Sequence, residues 1–324
     1  MQGPTNGSSP SLDPLGRGKA QIVLEVSLAV LMCVVSAVGN ILVLWVIRVT
    51  NSLHTVTNMF IQNLACIDLL ITLLQIPLWT VSLYYGEWTI GDTLCKSSAF
   101  VFYMLSNAAL YNLLMIALNR YVRVVKYDHY QCVFGLKKVP YAMIAVTWIL
   151  PLVTCSGPLY DWGEFRFYAN ASMCTLEWSS RHWPYYVFML ALQPSPYIIV
   201  YCYFEIYTRV RQNRIQVCSR KNRAACQSAS DAENQTMIVA FMIICVFVTS
   251  WLPAVIIAAL EIAGVRTDRW LAALSSYMVF VSTCLHPAIY GLLNPPFRKA
   301  FTRQLKRHSL DTGDPKTATG ISMG

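Results

Sequence analysis

The chain alternates between long stretches without charged side chains and short polar connections. A helix needs about 20 apolar residues to cross a bilayer, and a charge at the bilayer centre is costly. A stretch at 49–86 contains a single charged residue, Asp68. Six more stretches contain no Asp, Glu, Lys or Arg, namely 26–47, 97–119, 139–160, 182–204, 234–260 and 270–297. The pattern therefore predicts seven transmembrane helices.

The composition supports the same fold class. Of the 324 residues, 56% are hydrophobic and 13% are charged, and the mean hydropathy is +0.46. Soluble domains have about 45–50% apolar and about 25% charged residues. The sequence lacks the ten-residue alternation of a transmembrane barrel. We therefore predict an all-α membrane protein, a seven-transmembrane helix bundle, and exclude soluble enzymes, secreted disulfide scaffolds and disordered proteins.

The distribution of Lys and Arg predicts the orientation. With the amino terminus outside, most of the 25 basic residues fall in inner segments, as the positive-inside rule requires. The net charge of +9 is then explained by anionic lipid at the inner leaflet rather than by nucleic acid. The basic residues left outside are Arg17, Lys19, Lys96, Arg166, Arg181, Arg266 and Arg269.

A short amphipathic eighth helix follows the seventh span. Phe297 and Phe301 recur at four-residue spacing among basic side chains, which is typical of a helix lying on the bilayer surface. Asn294 precedes a proline pair and is a suitable cap for this helix. The predicted divisions are an extracellular tail (1–19), the seven-helix domain (20–294), the amphipathic helix (295–308) and a cytoplasmic tail (309–324).

Two cysteines and two glycosylation sequons lie on the predicted outer side. Cys95 and Cys174 both face an oxidising compartment, so a bridge between them is expected; two unpaired thiols are the alternative. Asn6 and Asn170 begin Asn-x-Ser sequons and are predicted glycosylation sites.

Short motifs on successive spans identify a family. They are Gly39-Asn40, Leu64-Ala65-Cys66-Ile67-Asp68, Asn119-Arg120-Tyr121, Ser250-Trp251-Leu252-Pro253 and His286-Pro287-Ala288-Ile289-Tyr290. In this order, the motifs resemble those of the rhodopsin-like G-protein-coupled receptors. The Asn-Arg-Tyr motif and the stretch from Ile289 to Asn294 are similar to the corresponding sequences of the melatonin-receptor branch.

The resemblance implies a plasma-membrane receptor for a small extracellular ligand, with heterotrimeric G proteins and arrestin as partners and no enzymatic activity. A transporter or channel is the alternative, although Asp68 is the only ionisable group at mid-bilayer depth. By this resemblance, the activation switch contains Phe247, Trp251, Pro253, His286 and Pro287. The G-protein-coupling residues are Asn119, Arg120, Tyr121, Tyr203 and Tyr290.

Two departures from the family pattern carry expectations of their own. Asn119 replaces an aspartate that pairs with the neighbouring arginine, so the inactive state is expected to be loosened; alternatively, Asn119 hydrogen-bonds Arg120 and basal activity is ordinary. The family's mid-membrane aspartate anchors sodium, which here implies a site at Asp68, Ser282 and Thr283. The alternatives are an Asp68–His286 pair or a water-filled polar cluster. No other metal or cofactor is predicted.

The resemblance also places a ligand pocket in the outer half of the bundle. Phe102 stands where amine receptors have an aspartate, so a monoamine ligand is disfavoured. The run 270–297 has no lysine, so retinal cannot form a Schiff base there. A neutral or lipophilic ligand remains, or an acid that meets Arg166 or Arg181, unless these are solvated loop charges. The predicted pocket residues are Phe102, Tyr103, Ser106, Asn107, Phe188, Trp251, Ala254, Ser276 and Phe280.

Overall fold

The computed structural model describes residues 13–136, 138–178, 180–182, 184–185, 187, 193–217 and 223–312. For 180, 213–217, 223–237, 295 and 305–312 it describes the backbone only. Asn6 and Phe188, a predicted glycosylation site and a predicted pocket residue, lie outside these ranges.

The seven predicted spans are confirmed as a helical bundle. The first is α1 (Lys19–Val49), the second comprises α2 (Val56–Leu74) and α3 (Ile76–Tyr85), and the third is α4 (Asp92–Val124). The short α5 (Tyr130–Phe134) precedes the fourth span, α6 (Lys138–Thr154). The last three are α7 (Ser195–Val217), α8 (Arg223–Ile262) and α9 (Arg269–Leu293).

Length and composition identify six of the described helices as membrane spans. The fifth span is not among them, since its described helix begins only at Ser195 and soon reaches Arg209 and Arg211. Within the bundle, the third span packs against the second, fourth and fifth, the first against the second and seventh, and the sixth against the seventh. The third span is the most buried of the six.

Proline and glycine shape the spans. The second span breaks at Gln75, and Pro77 lies in the first turn of the helix that follows, where its missing N–H leaves no helical hydrogen bond unmade. Pro253 and Pro287 lie inside the sixth and seventh spans, where a proline bends a helix. A Cβ atom on Gly39 would come within 2.9 Å of the Pro287 ring, so this glycine permits close packing of the first and seventh spans.

A β-hairpin covers one end of the bundle, which we call the hairpin end. Its strands, β1 (Phe165–Tyr168) and β2 (Met173–Leu176), pair antiparallel, with Phe165 opposite Leu176. The predicted disulfide between Cys95 and Cys174 is confirmed, and it joins β2 to the first turn of the third span. The opposite end, where the third span reaches Arg120, we call the Arg120 end.

The amphipathic helix, α10 (Pro295–Thr312), begins at Pro295 and continues four residues beyond the predicted 308. The Asn294 side-chain oxygen accepts a hydrogen bond from the Phe297 backbone N–H at 3.4 Å, which caps its first turn. Phe297 and Ala300 are buried against the bundle, while Arg298 is exposed. One face of this helix therefore packs and the other is basic.

Candidate functional site

A cavity of about 1310 Å³ lies beneath the hairpin, between the third, fifth, sixth and seventh spans. Small-molecule pockets usually measure about 300–1,000 Å³, so the space is ample for an organic ligand. The predicted pocket residues on its wall are Phe102, Tyr103, Asn107, Trp251, Ala254, Ser276 and Phe280.

Ser106 was predicted to line the cavity but does not. Successive residues of a helix are turned by about 100°, so Ser106 faces away from its neighbour Asn107. Its side chain is buried among the helices, and the hydroxyl has no hydrogen-bond partner in the described part of the chain.

Aromatic rings form the floor of the cavity. The ring centroids of Phe102 and Trp251 are 5.8 Å apart in a stacked arrangement. Phe280 packs edge-on against Phe102 at 5.9 Å, and Trp251 stacks on Phe247 at 5.9 Å, one turn further along the sixth span. A ligand resting on Phe102 is thus linked through two successive stacks to the interior of the sixth span.

Two amide side chains supply polarity near the floor. The Gln193 side-chain amide donates to Asn107 Oδ1, and the Asn107 amide donates to the Tyr103 carbonyl oxygen at 2.8 Å. Gln193 Oε1 is buried and has no partner among the described residues. An unsatisfied buried acceptor costs about 1–3 kcal/mol, so this oxygen favours a ligand with an N–H or O–H donor. Gln193 was not among the predicted pocket residues, because only its contact with Asn107 of the third span marks it.

A carboxylate lies at the cavity roof. Glu261, near the end of the sixth span, accepts hydrogen bonds from Tyr168 of the hairpin and from Thr267. Burial, and next the hydrogen bond to Glu261, raise the pKa of Tyr168, so its hydroxyl keeps its proton at neutral pH. No basic side chain forms an ion pair with Glu261 within the described ranges. The roof therefore carries negative charge.

Asn170, a predicted glycosylation site, is partly exposed and lies in the hairpin. Its side chain lines the cavity and its amide nitrogen donates to the Thr267 carbonyl oxygen at 3.0 Å. The sequon residue Ser172 is 1% exposed. A glycan would be attached to the same nitrogen, so glycosylation would compete with this hydrogen bond.

The arginines proposed to meet an acidic ligand are not free inside the cavity. Arg166 lines the cavity edge, but its guanidinium lies 2.9 Å from the carboxylate of Glu177. Arg181 is exposed and does not line the cavity. Arg266 lines the rim of the cavity and is exposed to solvent. An ion pair at such a position contributes about 1 kcal/mol or less.

Deeper in the bundle, Asp68 and His286 form a buried pair. His286 Nδ1 lies 2.8 Å from Asp68 Oδ2, and both side chains are at most 2% exposed. The contact is a hydrogen bond for either protonation pattern: Nδ1–H donates to an ionised carboxylate, or a protonated carboxyl donates to Nδ1. His286 Nε2 has no hydrogen-bond partner in the described structure. Of the three alternatives for Asp68, the structure contains the pair.

The residues around Asp68 do not fit a sodium ion. The hydroxyls of Ser282 and Thr283 donate to carbonyl oxygens of their own helix at 2.7 and 2.8 Å. Thr283 additionally accepts a hydrogen bond from Ser36 at 3.0 Å. Because Asp68 Oδ2 is in contact with His286 Nδ1, a cation bound at this oxygen would compete with that contact. The sodium expectation is therefore not carried further.

At the Arg120 end, Asn119 pairs with a different neighbour than expected. Its side-chain oxygen accepts a hydrogen bond from the Thr57 hydroxyl of the second span at 2.8 Å, and both residues are buried. Arg120 is 5% exposed, and the Tyr121 ring lies 6.0 Å from the Tyr201 ring of the fifth span. The bond to Thr57 makes Asn119 part of the packing between the second and third spans.

The other coupling residues are buried tyrosines. Tyr290 is 2% exposed, and the Tyr203 ring packs against Phe241 at 5.6 Å. The hydroxyls of Tyr203 and Tyr290 are buried without hydrogen-bond partners among the described residues. Both are therefore available for new polar contacts if the spans move.

An ionic network at the hairpin end was not anticipated from the sequence. Arg17 lies 2.7 Å from both Asp13 and Glu25, and Arg269 approaches the two oxygens of Glu25 at 2.9 Å. The Tyr277 hydroxyl donates to the Glu25 carbonyl oxygen at 2.7 Å. The network joins the amino-terminal segment to the first and seventh spans, and it depends on side chains 244 positions apart.

Comparison with known proteins agrees with this geometry. A family described as 7 transmembrane receptor (rhodopsin family) matches residues 39–290. The Danio rerio melatonin receptor type 1B-B is 26% identical over 288 residues, which cover 87% of this chain and 81% of the relative. The Homo sapiens melatonin receptor type 1B is 27% identical over 278 residues, covering 84% of this chain and 75% of the relative. The fold is similar to that of squid rhodopsin, with a TM-score of 0.76 and 22% identity over 93% of each chain.

The matched stretch contains every motif from Gly39 to Tyr290 on which the resemblance rests. The relatives support a receptor rather than a transporter, channel or enzyme. The chain therefore belongs to the rhodopsin family of seven-transmembrane receptors, which are multi-pass proteins of the plasma membrane that bind small ligands and signal through G proteins.

Proposed function

We propose that this receptor is activated by a neutral, largely apolar molecule that binds in the cavity beneath the hairpin. Heterotrimeric G proteins couple at the Arg120 end, and arrestin is the second cytoplasmic partner. The observation that carries the proposal is the continuous stack from Phe102 through Trp251 to Phe247.

The stack explains how a ligand biases the sixth span. A ligand on the floor contacts Trp251, and Trp251 in turn packs on Phe247 inside the same helix. Pro253 lies two residues from Trp251 and removes a backbone hydrogen bond, which makes bending there less costly. A ligand shifts a conformational equilibrium only by its difference in affinity between the two states. Contact with Trp251 provides such a difference if the ring moves with the helix.

The charges around the cavity select a neutral ligand. Among the described residues, the floor at Phe102 and Trp251 has no carboxylate to pair with a buried ammonium group, and burying a charge without a counter-charge is costly. Glu261 repels a carboxylate at the roof, while Arg166 is already paired with Glu177. Gln193 Oε1 requires a donor. The favoured ligand is an aromatic or aliphatic molecule with at least one N–H or O–H group.

We further propose that the hairpin end is extracellular. The disulfide between Cys95 and Cys174 requires an oxidising compartment, and the Lys and Arg residues concentrate towards the other side. The ligand then enters from outside, and α10 lies on the inner leaflet.

Nucleotide exchange on a purified G protein tests the ligand proposal. The receptor is reconstituted in lipid nanodiscs and titrated with a panel of neutral aromatic amides and alcohols, with melatonin as the first probe because the relatives are melatonin receptors. Phe102→Ala and Gln193→Leu are expected to raise the half-maximal concentration at least tenfold. Val187→Ala, an exposed side chain outside the cavity lining, is the matched control. Unchanged potency in both cavity variants would contradict the proposal.

A further inference from the structure

We propose that the hairpin end carries a zinc site formed by Glu164, Glu177 and His182. One donor atom from each of these half-buried side chains lies within 4.8 Å of the other two. The three residues follow no ligand-spaced motif, so the sequence alone does not predict this site. The site borders the cavity, whose lining includes Glu177 and Arg166, but the zinc proposal does not depend on which ligand the cavity binds.

The two carboxylates are forced together by the register of the hairpin. Phe165 is opposite Leu176, so Glu164 and Glu177 face each other at the open end of the strands. The Glu177 backbone N–H donates to the Glu164 carbonyl oxygen at 2.8 Å, which fixes this approach. Like charges directly opposite one another destabilise a strand pair. The arrangement therefore favours a bound cation.

One exposed arginine, Arg166, forms a described ion pair with this carboxylate pair. Arg166 lies 2.9 Å from Glu177, but its side chain is 60% exposed, and exposed ion pairs contribute about 1 kcal/mol or less. No ion pair with Glu164 is present in the described part of the chain. A divalent cation between the two carboxylates would neutralise both.

His182 brings the third donor from outside the hairpin. It ends the helical turn Ser180–His182, which leads towards the fifth span. Its Nε2 atom is buried and has no hydrogen-bond partner among the described residues. Its donor atom lies within 4.8 Å of a carboxylate oxygen of each glutamate. A buried nitrogen of this kind calls for a partner, and a metal ion is one.

The donor set favours zinc over the common alkaline-earth ions. One imidazole nitrogen and two carboxylate oxygens, with water at the fourth position, form an open zinc site with bonds of about 2.0–2.2 Å. Calcium and magnesium prefer oxygen donors throughout. The disulfide at Cys174 holds the hairpin in place before the metal binds. Bound zinc would tie the hairpin to the segment that enters the fifth span.

Zinc binding to the intact receptor tests the site. The purified protein is stripped with a chelator and titrated with Zn²⁺ against a chromophoric competitor, and Co²⁺ absorption reports the coordination. We expect one zinc per receptor, and affinity at least tenfold weaker in Glu164→Gln and in His182→Asn. Glu87→Gln and His54→Asn, both exposed side chains elsewhere, are the matched controls and should bind as the parent does.

Arg166→Gln adds a variant whose effect has the opposite sign. Arg166 competes with the metal for Glu177, so its removal should tighten zinc binding severalfold. This readout stands even if a ligand variant folds poorly. Zinc affinity that is equal in the parent, Glu164→Gln and His182→Asn, or that is unchanged or weakened by Arg166→Gln, would overturn the proposal.

Discussion

His286 Nδ1 lies 2.8 Å from Asp68 Oδ2 in the middle of the bundle, and this contact joins the seventh span to the second across 218 positions of sequence. Pro287 follows His286 directly and packs against Gly39 of the first span. The pair thus lies at the place where three spans meet, next to a helix bend. A change in its charge acts on the relative position of these spans.

Removing one member of this pair should cost more than removing both. Loss of one partner leaves a buried group unpaired, at a cost of about 3–5 kcal/mol. We expect Asp68→Asn and His286→Asn each to lower the thermal unfolding temperature of the purified receptor. The double variant should be destabilised by less than the sum of the two, because residues in contact are non-additive. Additive effects would show that the two side chains act independently.

The same variants distinguish the pair from a sodium site. Parent stability should be equal in sodium chloride and choline chloride. His286→Asn leaves the Asp68 carboxylate without the imidazole and should gain sodium dependence. Sodium-dependent stability of the parent would argue for a sodium site at Asp68 instead.

Glu25 is predicted to stabilise the hairpin end strongly. Glu25→Gln leaves Arg17 and Arg269 close together with a single remaining carboxylate, Asp13, and should lower the free energy of unfolding by about 3 kcal/mol or more. Asp92→Asn removes the exposed pair with Lys96 and should cost about 1 kcal/mol or less. Thermal unfolding of the two variants, measured side by side, checks the difference. Equal and small losses of stability would show that the network at Glu25 contributes no more than a surface ion pair.

Asn119→Asp should lower ligand-free signalling. The new carboxylate can keep the hydrogen bond from Thr57 while adding a negative charge next to Arg120, as most of the family has. A pair that only the inactive arrangement keeps would favour it by about 1–3 kcal/mol, or roughly 5–150-fold. Basal nucleotide exchange at matched receptor amounts measures the effect. Thr57→Val removes the hydrogen bond without adding charge, and is expected not to lower basal exchange. Unchanged basal exchange in Asn119→Asp would show that Asn119 replaces the family's aspartate without an effect on basal signalling.

Asn170 should remain unglycosylated in the mature receptor. Its amide is committed to the Thr267 carbonyl oxygen inside the hairpin. In cells that glycosylate, treatment with an amide-cleaving glycosidase should shift the mobility of the parent and of Asn170→Gln equally, whereas Asn6→Gln should abolish the shift. A shift that disappears in Asn170→Gln would show that the hairpin opens to accept a glycan.

The seven spans could be predicted because a transmembrane helix excludes charged residues from one contiguous stretch of sequence. Gaps of about 20 residues between charged side chains reveal a helix without reference to any partner. The disulfide was predictable for a related reason, since Cys95 and Cys174 share a compartment. The aromatic residues of the cavity floor, Phe102 and Trp251, were predicted from the family resemblance, which assigns both to the ligand pocket.

The polar contacts could not be derived in this way. Gln193 reaches Asn107 across 86 positions, and Arg269 reaches Glu25 across 244, so no local pattern marks either pair. The sequence does not indicate which residue Asn119 contacts. The packing of the second span against the third places Thr57 next to it. Side-chain pairing between distant segments is thus the part of the site that requires a structure.

The central claim is that this receptor activates G proteins through Arg120. Nucleotide exchange on a purified G protein measures it directly. Each receptor variant is reconstituted in nanodiscs and assayed at the same receptor concentration. Arg120→Ala should abolish exchange while leaving expression intact, and Arg123→Ala, one turn further along the same helix and exposed, should retain most of it. Exchange by Arg120→Ala at the parent rate would contradict the account.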